Sequence, residues 1–328
     1  MRHIFIINPC AGGEDHADAI THRLQASNIE ALVYITQGAK DATRYVDDYC
    51  RQHAGEALRF YACGGDGTLN EVVSGAMEHS NAEVGCYPCG SGNDYVKYWQ
   101  GTDFHDIQAL MQASSVEVDV MKVRYQSDSG PALRYALNTL NFGFEAEVCR
   151  AMDEMRHKPL LGGKMAYPSG ILKSLFSGRH NPCRITVDGE LWQEGDLLLA
   201  SLANGQYEGG GFHSAPRSLN DDGLIEVTAI RPISIVRFTG MIGYYKKGTY
   251  LDRKKLQRFI SYRRAKHLVI ESDRPFYIGI DGELLHGSRF EIENLHRTLR
   301  FAVPSVEWGV RISFGVFVDS GRGNCRLR

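Results

Sequence analysis

The chain has 328 residues, of which 43% are apolar and 23% charged, and its formal net charge is −2. That profile excludes a disordered or fibrous protein, and without a basic excess nothing points to a nucleic-acid partner. At this length two cores of ordinary size are expected, each large enough to bury a proper interior.

The chain opens on Met1-Arg2-His3 and a short apolar run, Ile4 to Ile7, closed by Asn8-Pro9. The run is too short for the core of a signal peptide and reads as a first strand. No stretch of about 18 apolar residues occurs, so the expectation is a cytoplasmic protein with, at most, peripheral contact at the inner face of a membrane. Eight cysteines are scattered at positions 10, 50, 63, 86, 89, 149, 183 and 325, which argues for reduced thiols. The one C-x-x-C, Cys86 to Cys89, has no second pair and no histidine at ligand spacing, so it reads as small residues at a strand end.

After the first strand, Ala17, Ile20 and Leu24 mark one face of a helix, and residues 31–35 form a second strand. Ala42, Tyr45, Val46, Tyr49 and Cys50 then repeat at helical spacing, followed by a strand at 58–62, a helix carrying Leu69, Val72, Val73, Ala76 and Met77, and a strand at 84–87. Strand and helix in alternation predict an open parallel sheet covered on both faces. From about residue 116 the rhythm changes to short apolar runs at 116–123, 133–142, 197–203, 225–230 and 276–280, broken by Gly, Asp, Asn and Pro. This half is expected to be antiparallel and β-rich, with helical patterns only at 166–176 and 235–259. The predicted division is an α/β domain over 1–120 and a β-sandwich over 121–300, with a boundary near 118–124. The chain is expected to return to the first domain after 300, and 308–328 reads as an extension carrying a strand at 312–318.

The sharpest local signal is Gly64-Gly65-Asp66-Gly67-Thr68-Leu69-Asn70-Glu71, with three glycines between a strand and a helix. Glycine lets backbone approach phosphate oxygens closely, and the helix N-terminus adds amide donors and a favourable dipole. Thr68 and Glu71 have the spacing of a capping box for that helix. Two further glycine turns close strands, Asn8-Pro9-Cys10-Ala11-Gly12-Gly13 and Gly90-Ser91-Gly92-Asn93-Asp94. Three such loops at strand C-termini are what an open α/β sheet offers a ligand in its crevice. The spacings of a Walker loop or a protein-kinase glycine loop are absent.

These motifs resemble the diacylglycerol kinase catalytic-domain superfamily, and its bacterial lipid kinases in particular. The resemblance continues through Thr36, Asn141 to Phe144, Asn204-Gly205, Gly209 to Gly211, Ala215-Pro216, Asn220 to Leu224 and Asp281-Gly282-Glu283. It implies an N-terminal α/β nucleotide-binding domain of NAD kinase/diacylglycerol kinase type and a C-terminal β-sandwich domain, with ATP and Mg2+ between them. By similarity Asn8, Pro9, Gly12, Thr36, Gly64, Gly65, Asp66, Gly67, Thr68, Asn70, Ser91 and Glu283 contact the nucleotide. Asp66, Asp94 and Asp119 are implied as an acidic network for Mg2+, and Asp222 with the carbonyls of Leu219 and Leu224 as a second, structural Mg2+ site. Asp281 is implied as the general base, with Asp66 beside it in catalysis. A homodimer is also plausible on the resemblance.

Asp-Gly between two strands is equally a tight hairpin turn. Val187-Asp188-Gly189-Glu190 repeats the pattern and reads as the plain turn, because it lacks the surrounding motifs. The chain departs from the family where Glu145 replaces a frequent Asp after Gly-Phe, and where Cys10-Ala11 replaces a loop lysine of some members. Between Lys246 and Lys266 nine Lys or Arg accompany one acid, Asp252, with Tyr245, Tyr250, Leu251, Leu256, Phe259 and Ile260 interleaved. This is either a membrane-facing patch or a solvated helix face. Residues 164–176 are a second candidate for lipid contact. The acceptor is expected to be a lipid alcohol such as diacylglycerol. An NAD kinase acting on a ribose hydroxyl and a non-catalytic lipid-binding regulator are the competing readings.

Overall fold

The computed structural model describes residues 1–13, 16–26, 30–127, 130–156 and 180–305. The patterns at 164–176 and 312–318, and the extension 308–328, lie outside the described residues.

The N-terminal half alternates as its periodicity predicts: β1 (Arg2–Ile7), α1 (Ala17–Ala26), β2 (Leu32–Ile35), α2 (Asp41–Gln52), β3 (Leu58–Gly64), α3 (Asp66–Ala76) and β4 (Ala82–Pro88). β1 pairs in parallel with β2 and β3, and β3 with β4. Both β3 and β4 are buried along their whole length, as expected of strands with helices on both faces. A short helix, α4 (Ile107–Gln112), was not marked by periodicity; it is capped by Asp106, whose carboxylate accepts the amide of Ala109.

The second half is antiparallel: β5 (Ser114–Ser127), β6 (Gly130–Ala136), β7 (Thr139–Gly143), α5 (Phe144–Arg156), β8 (Asn181–Val187), β9 (Glu190–Leu197), β10 (Leu199–Ala203), β11 (Ile225–Ile230), α6 (Ile235–Lys246), α7 (Lys254–Gln257), β12 (Ile260–Ala265), β13 (His267–Ile280) and β14 (Glu283–Val303). The apolar run at 133–142 is two strands, because the chain turns between Ala136 and Thr139. The sheet is continuous, in the order β12-β11-β10-β7-β13-β14-β4-β3-β1-β2, with β5 on β14 and β8 on β13. β14 joins the halves: its early residues pair with β13, and Phe301 near its end pairs in parallel with Val84 of β4.

Three apolar clusters hold this frame. One lies around Ile4 to Ile7, Phe60 and Val72 in the α/β half, one around Leu140, Leu202 and Ile270 in the sandwich, and one joins α5 and α6 to β10 through Phe144, Leu199, Phe238 and Met241.

The capping box does not form. Helix α3 begins at Asp66, with Gly65 as its N-cap, so Thr68 already lies inside the first turn. Its hydroxyl accepts from Asn8 Nδ2 at 3.0 Å instead. Glu71 turns to the neighbouring helix and accepts the amides of Lys40 and Ala42 at the start of α2. Glu71 thus caps the preceding helix α2 and not its own, a choice that only packing between α2 and α3 makes.

Candidate active site

The three glycine loops meet at the C-terminal ends of β1, β3 and β4. They approach so closely that side chains would not fit: a Cβ on Gly90 would lie 2.3 Å from Gly65 Cα, and one on Gly12 would lie 2.4 Å from Cys89 O. Gly12 also has a φ of +66°, in the left-handed region.

Asp66 sits at the first position of α3, and its Oδ1 accepts the amides of Asp94 at 2.7 Å and Tyr95 at 3.2 Å. Asp94 in turn accepts Lys97 Nζ at 2.5 Å on Oδ1 and the Gly210 amide at 2.8 Å on Oδ2. The two carboxylates converge over Gly92, where a Cβ would meet Asp66 Oδ2 at 2.9 Å and Asp94 Oδ2 at 3.3 Å. Burial, and then the neighbouring Asp94 charge, push Asp66 up to about 6. These are hard oxygens of the kind Mg2+ takes, and a metal bound here would displace the Lys97 ammonium from Asp94.

Asp281 comes to the same place from the turn between β13 and β14. It is 6% exposed. Its Oδ2 accepts Asn70 Nδ2 at 2.8 Å and the Leu137 amide at 2.7 Å, while its Oδ1 accepts the amides of Asn138 at 3.1 Å and Thr139 at 2.9 Å. Burial raises its pKa and prevails over these donors, which pull the other way.

The other Asp-Gly copy has the same turn geometry, with φ of +49° and +86° at Asp188 and Gly189 against +44° and +93° at Asp281 and Gly282. What separates the two is surroundings: Asp188 Oδ1 accepts the amides of Lys266 and His267 at an exposed position.

A cavity of about 760 Å³ runs from these loops into the sandwich half. Its phosphate-loop end is lined by Asn8, Gly12, Gly65 to Thr68, Gly90 to Gly92, Asp94 and Asp281, and its far end by Phe144, Val148, Leu199, Phe238, Met241 and Ile242. Of the residues expected at the nucleotide, Asn8, Gly12, Gly65, Asp66, Gly67, Thr68 and Ser91 thus share one wall, whereas Pro9, Thr36, Gly64, Asn70 and Glu283 do not line it. Asn70 acts behind the wall, on Asp281. Thr36 is nearly buried at the end of β2, its amide bonded to Ile7 O. Burial, and then the Glu71 charge, raise Glu283.

Asp119 makes no direct hydrogen bond to Asp66 or Asp94 among the described residues. It is fully buried, and its oxygens accept the amides of Gly223 and Arg297 and Asn294 Nδ2 and lie against His296 Nδ1, at 2.7 to 3.0 Å. With four partners it ties β5 to the 220s loop and β14. The expected second Mg2+ site fits poorly as well. Asp222 pairs with Arg264 through Oδ2 and accepts the Leu224 amide at 3.0 Å on Oδ1, and Leu219 is largely exposed. A cation there would have to displace a guanidinium, and no cluster of three potential metal-ligating side chains occurs among the described residues.

Residues 2–123 match the diacylglycerol kinase catalytic domain, and residues 138–301 match the YegS C-terminal NAD kinase beta sandwich-like domain. The chain belongs to the family defined by the YegS C-terminal domain, and its N-terminal part is similar to the diacylglycerol kinase catalytic domain. It is 29% identical over 304 residues to a probable lipid kinase YegS-like protein of Stenotrophomonas maltophilia, covering 90% of this chain and 93% of that one. A protein of the same description from Serratia proteamaculans is 25% identical over 306 residues, covering 92% and 93%. Among solved structures, a putative diacylglycerol kinase from Bacillus anthracis superposes with a TM-score of 0.66 at 23% identity, over 92% of this chain and 96% of that one. Yeast NADH kinase complexed with NADH shares the fold at a TM-score of 0.51 and 12% identity, over 94% and 84%. The chain is therefore a kinase, built from the α/β catalytic domain and the sandwich that its change of rhythm predicted.

Two features of the site were not found from sequence. The sandwich supplies three backbone amides to Asp281, which no side-chain pattern encodes. It also places Glu145, Glu208 and Tyr245 together in the cavity wall. The Gly209 to Gly211 run was the available signal for the latter, since Gly210 is what docks this loop on Asp94.

Proposed function

We propose that this kinase transfers the γ-phosphoryl group of ATP to the hydroxyl of a lipid alcohol, with diacylglycerol as the reference acceptor. The observation that carries this reading is the two-ended cavity, whose glycine loops and paired carboxylates at one end suit a metal-bound triphosphate, and whose Phe, Leu, Met and Ile lining at the other suits acyl chain. A ribose acceptor would leave that apolar end unfilled, which favours the lipid over the NAD kinase reading.

In this reading the amides around Gly65, Gly67 and Gly90 hold the phosphates, and Asp66 and Asp94 would hold Mg2+, which when bound would supply charge neutralisation at the phosphate oxygens and orientation. Asp281 faces the cavity and takes the proton of the lipid hydroxyl. The hydroxyl oxygen then bonds to the γ-phosphorus as the bond to the bridging oxygen breaks, and ADP leaves. The donors around Asp281 fix its direction so that the hydroxyl is received in line.

A peripheral membrane contact goes with this reading. Helix α6 turns Phe238, Met241 and Tyr245 inward and leaves Val236 81% and Tyr244 40% exposed. Arg237, Lys247, Arg253 and Arg258 stand around that outer face, with Arg253 stacked 4.4 Å over the Tyr244 ring. The helix that roofs the apolar end would thus meet the lipid surface. No helix among the described residues is long and apolar enough to cross a membrane.

The test is transfer from labelled ATP to diacylglycerol and other lipid alcohols in mixed micelles, with NAD as a competing acceptor. Asp281→Asn should fold and bind ATP yet lose about 100-fold or more in turnover. Full turnover in that variant would move the base elsewhere, with Glu283 the next carboxylate to examine, and labelled NAD would overturn the lipid assignment.

A further inference from the structure

The 220s loop carries two adjacent acids, Asp221 and Asp222, just before Gly223 and the start of β11. It backs the catalytic end of the molecule. Asn220 O accepts the Asp119 amide at 2.7 Å, Asn220 Nδ2 reaches Tyr95 Oη at 3.5 Å, and the Tyr95 amide is one of the two on Asp66 Oδ1. Like charges in a loop so placed repel one another unless a cation neutralises them.

A divalent cation held by Asp222 and the carbonyls of Leu219 and Leu224 is what the family resemblance implies. The donor set of this chain is committed otherwise. Arg264 on β12 gives Nη2 to Asp222 Oδ2, while Asp222 Oδ1 accepts the Leu224 amide at 3.0 Å. Arg297 on β14 donates Nε to Asp221 O at 3.0 Å and Nη2 to Asp221 Oδ2 at 3.2 Å. The fold aims both cations at the loop. β12 pairs with β11 so that Arg264 stands directly across from Glu226, which is 1% exposed. β14 shifts register between Leu295 and Leu299, and within that irregularity Arg297 takes a φ of +52°, with its amide on Asp119 Oδ1 at 2.8 Å. A non-glycine residue keeps such a conformation only where its surroundings over-determine it.

Mg2+ demands near-octahedral oxygen ligands and gives up its water reluctantly. At this loop it would meet a single carboxylate whose two oxygens are already engaged. A guanidinium is always charged, matches a carboxylate in shape and, tethered to its strand, needs no capture from solution. We infer that the Arg264 guanidinium takes the place of the structural cation, with Arg297 completing the neutralisation, so that this kinase holds its 220s loop without a divalent ion. Its metal requirement is then left to the nucleotide.

Thermal melts of the full chain without nucleotide, in EDTA and in millimolar Mg2+ or Ca2+, test this. The parent should melt alike in all three, or show a metal response that Asp222→Asn leaves unchanged. Arg264→Gln keeps much of the bulk but not the charge. It should melt about 2–4 °C below the parent in EDTA and recover most of that loss in Mg2+ or Ca2+, a response that the double variant Arg264→Gln/Asp222→Asn lacks. A parent that EDTA destabilises, and that Asp222→Asn makes indifferent to metal, would return the loop to a divalent ion. An Arg264→Gln variant that melts like the parent and gains no metal response would equally overturn the assignment. If Arg264→Gln does not fold, Arg264→Lys, which keeps the charge, should fold and stay indifferent to metal, and a metal response gained by that variant would count against the guanidinium.

Discussion

Asn70 Nδ2 donates to Asp281 Oδ2 at 2.8 Å, joining helix α3 of the catalytic domain to the β13–β14 turn across 211 residues of sequence. The same amide nitrogen lies 2.7 Å from Tyr135 O. The proposed base is therefore positioned by both halves of the molecule, and its alignment depends on how the halves sit together.

Asn70→Ala removes that link while leaving the three backbone amides on Asp281. Loss of one charged hydrogen bond, about 1.5–3 kcal/mol, should lower kcat by roughly 10- to 100-fold, with little change in the KM for ATP. Steady-state kinetics in both substrates check this, and an equal rise in KM for ATP would instead place Asn70 on the nucleotide.

Gly90 and Gly67 should respond differently to alanine. A Cβ at Gly90 collides with Gly65 Cα at 2.3 Å, so Gly90→Ala must push two loops apart. Its expected signature is a lower melting temperature together with loss of nucleotide binding. A Cβ at Gly67 meets no atom within 4 Å. Gly67→Ala should melt like the parent, and any loss of ATP affinity there would report a phosphate packed against that backbone.

Glu226 on β11 gives a pH prediction. Burial pushes its carboxyl up from 4.5 to about 7, against Arg264 and Arg217, which pull it down. The folded pKa is the higher one, so the folded protein holds an extra proton between about 4.5 and about 7, and the stability this provides at low pH is lost as pH rises through that window. The loss is about 3 kcal/mol at most. Glu226→Gln should flatten the difference between denaturation midpoints at pH 5 and pH 8, and an unchanged difference would mean that Glu226 ionises normally.

Arg59 and Glu83 form a buried ion pair between β3 and β4, with Nε and Nη2 of Arg59 at 2.9 and 2.7 Å from Glu83 Oε2. Arg59 also donates to Met111 O and Ala113 O, which fixes the C-terminal end of α4. Glu83→Ala leaves a buried guanidinium with those carbonyls and Ser115 Oγ but no counter-charge, and should destabilise by about 3–5 kcal/mol. The double variant Arg59→Met/Glu83→Leu should recover much of that loss in chemical denaturation. A double variant as unstable as the single one would show that the carbonyl contacts matter more than the charge.

What the sequence determined was whatever local chemistry forces. Glycine spacing marked the loops that must approach one another, helical and strand periods marked the alternating half, and their loss near residue 116 marked the antiparallel half. The tertiary structure decided everything that depends on which surroundings a residue receives. Asp188 and Asp281 share one turn conformation, yet only the second is carried into a buried cavity among four donors. Thr68 and Glu71 have the spacing of a box, but packing of α2 on α3 gives Glu71 to another helix. Asp119, which the family resemblance implies at the metal, takes its direct partners from β14 and the 220s loop. Glu145, Glu208 and Tyr245 are separated by up to 100 residues and meet only because α5, α6 and the glycine-rich loop close on one cavity. A period of two or 3.6 records which face of an element is buried, but it carries no record of which distant element faces it.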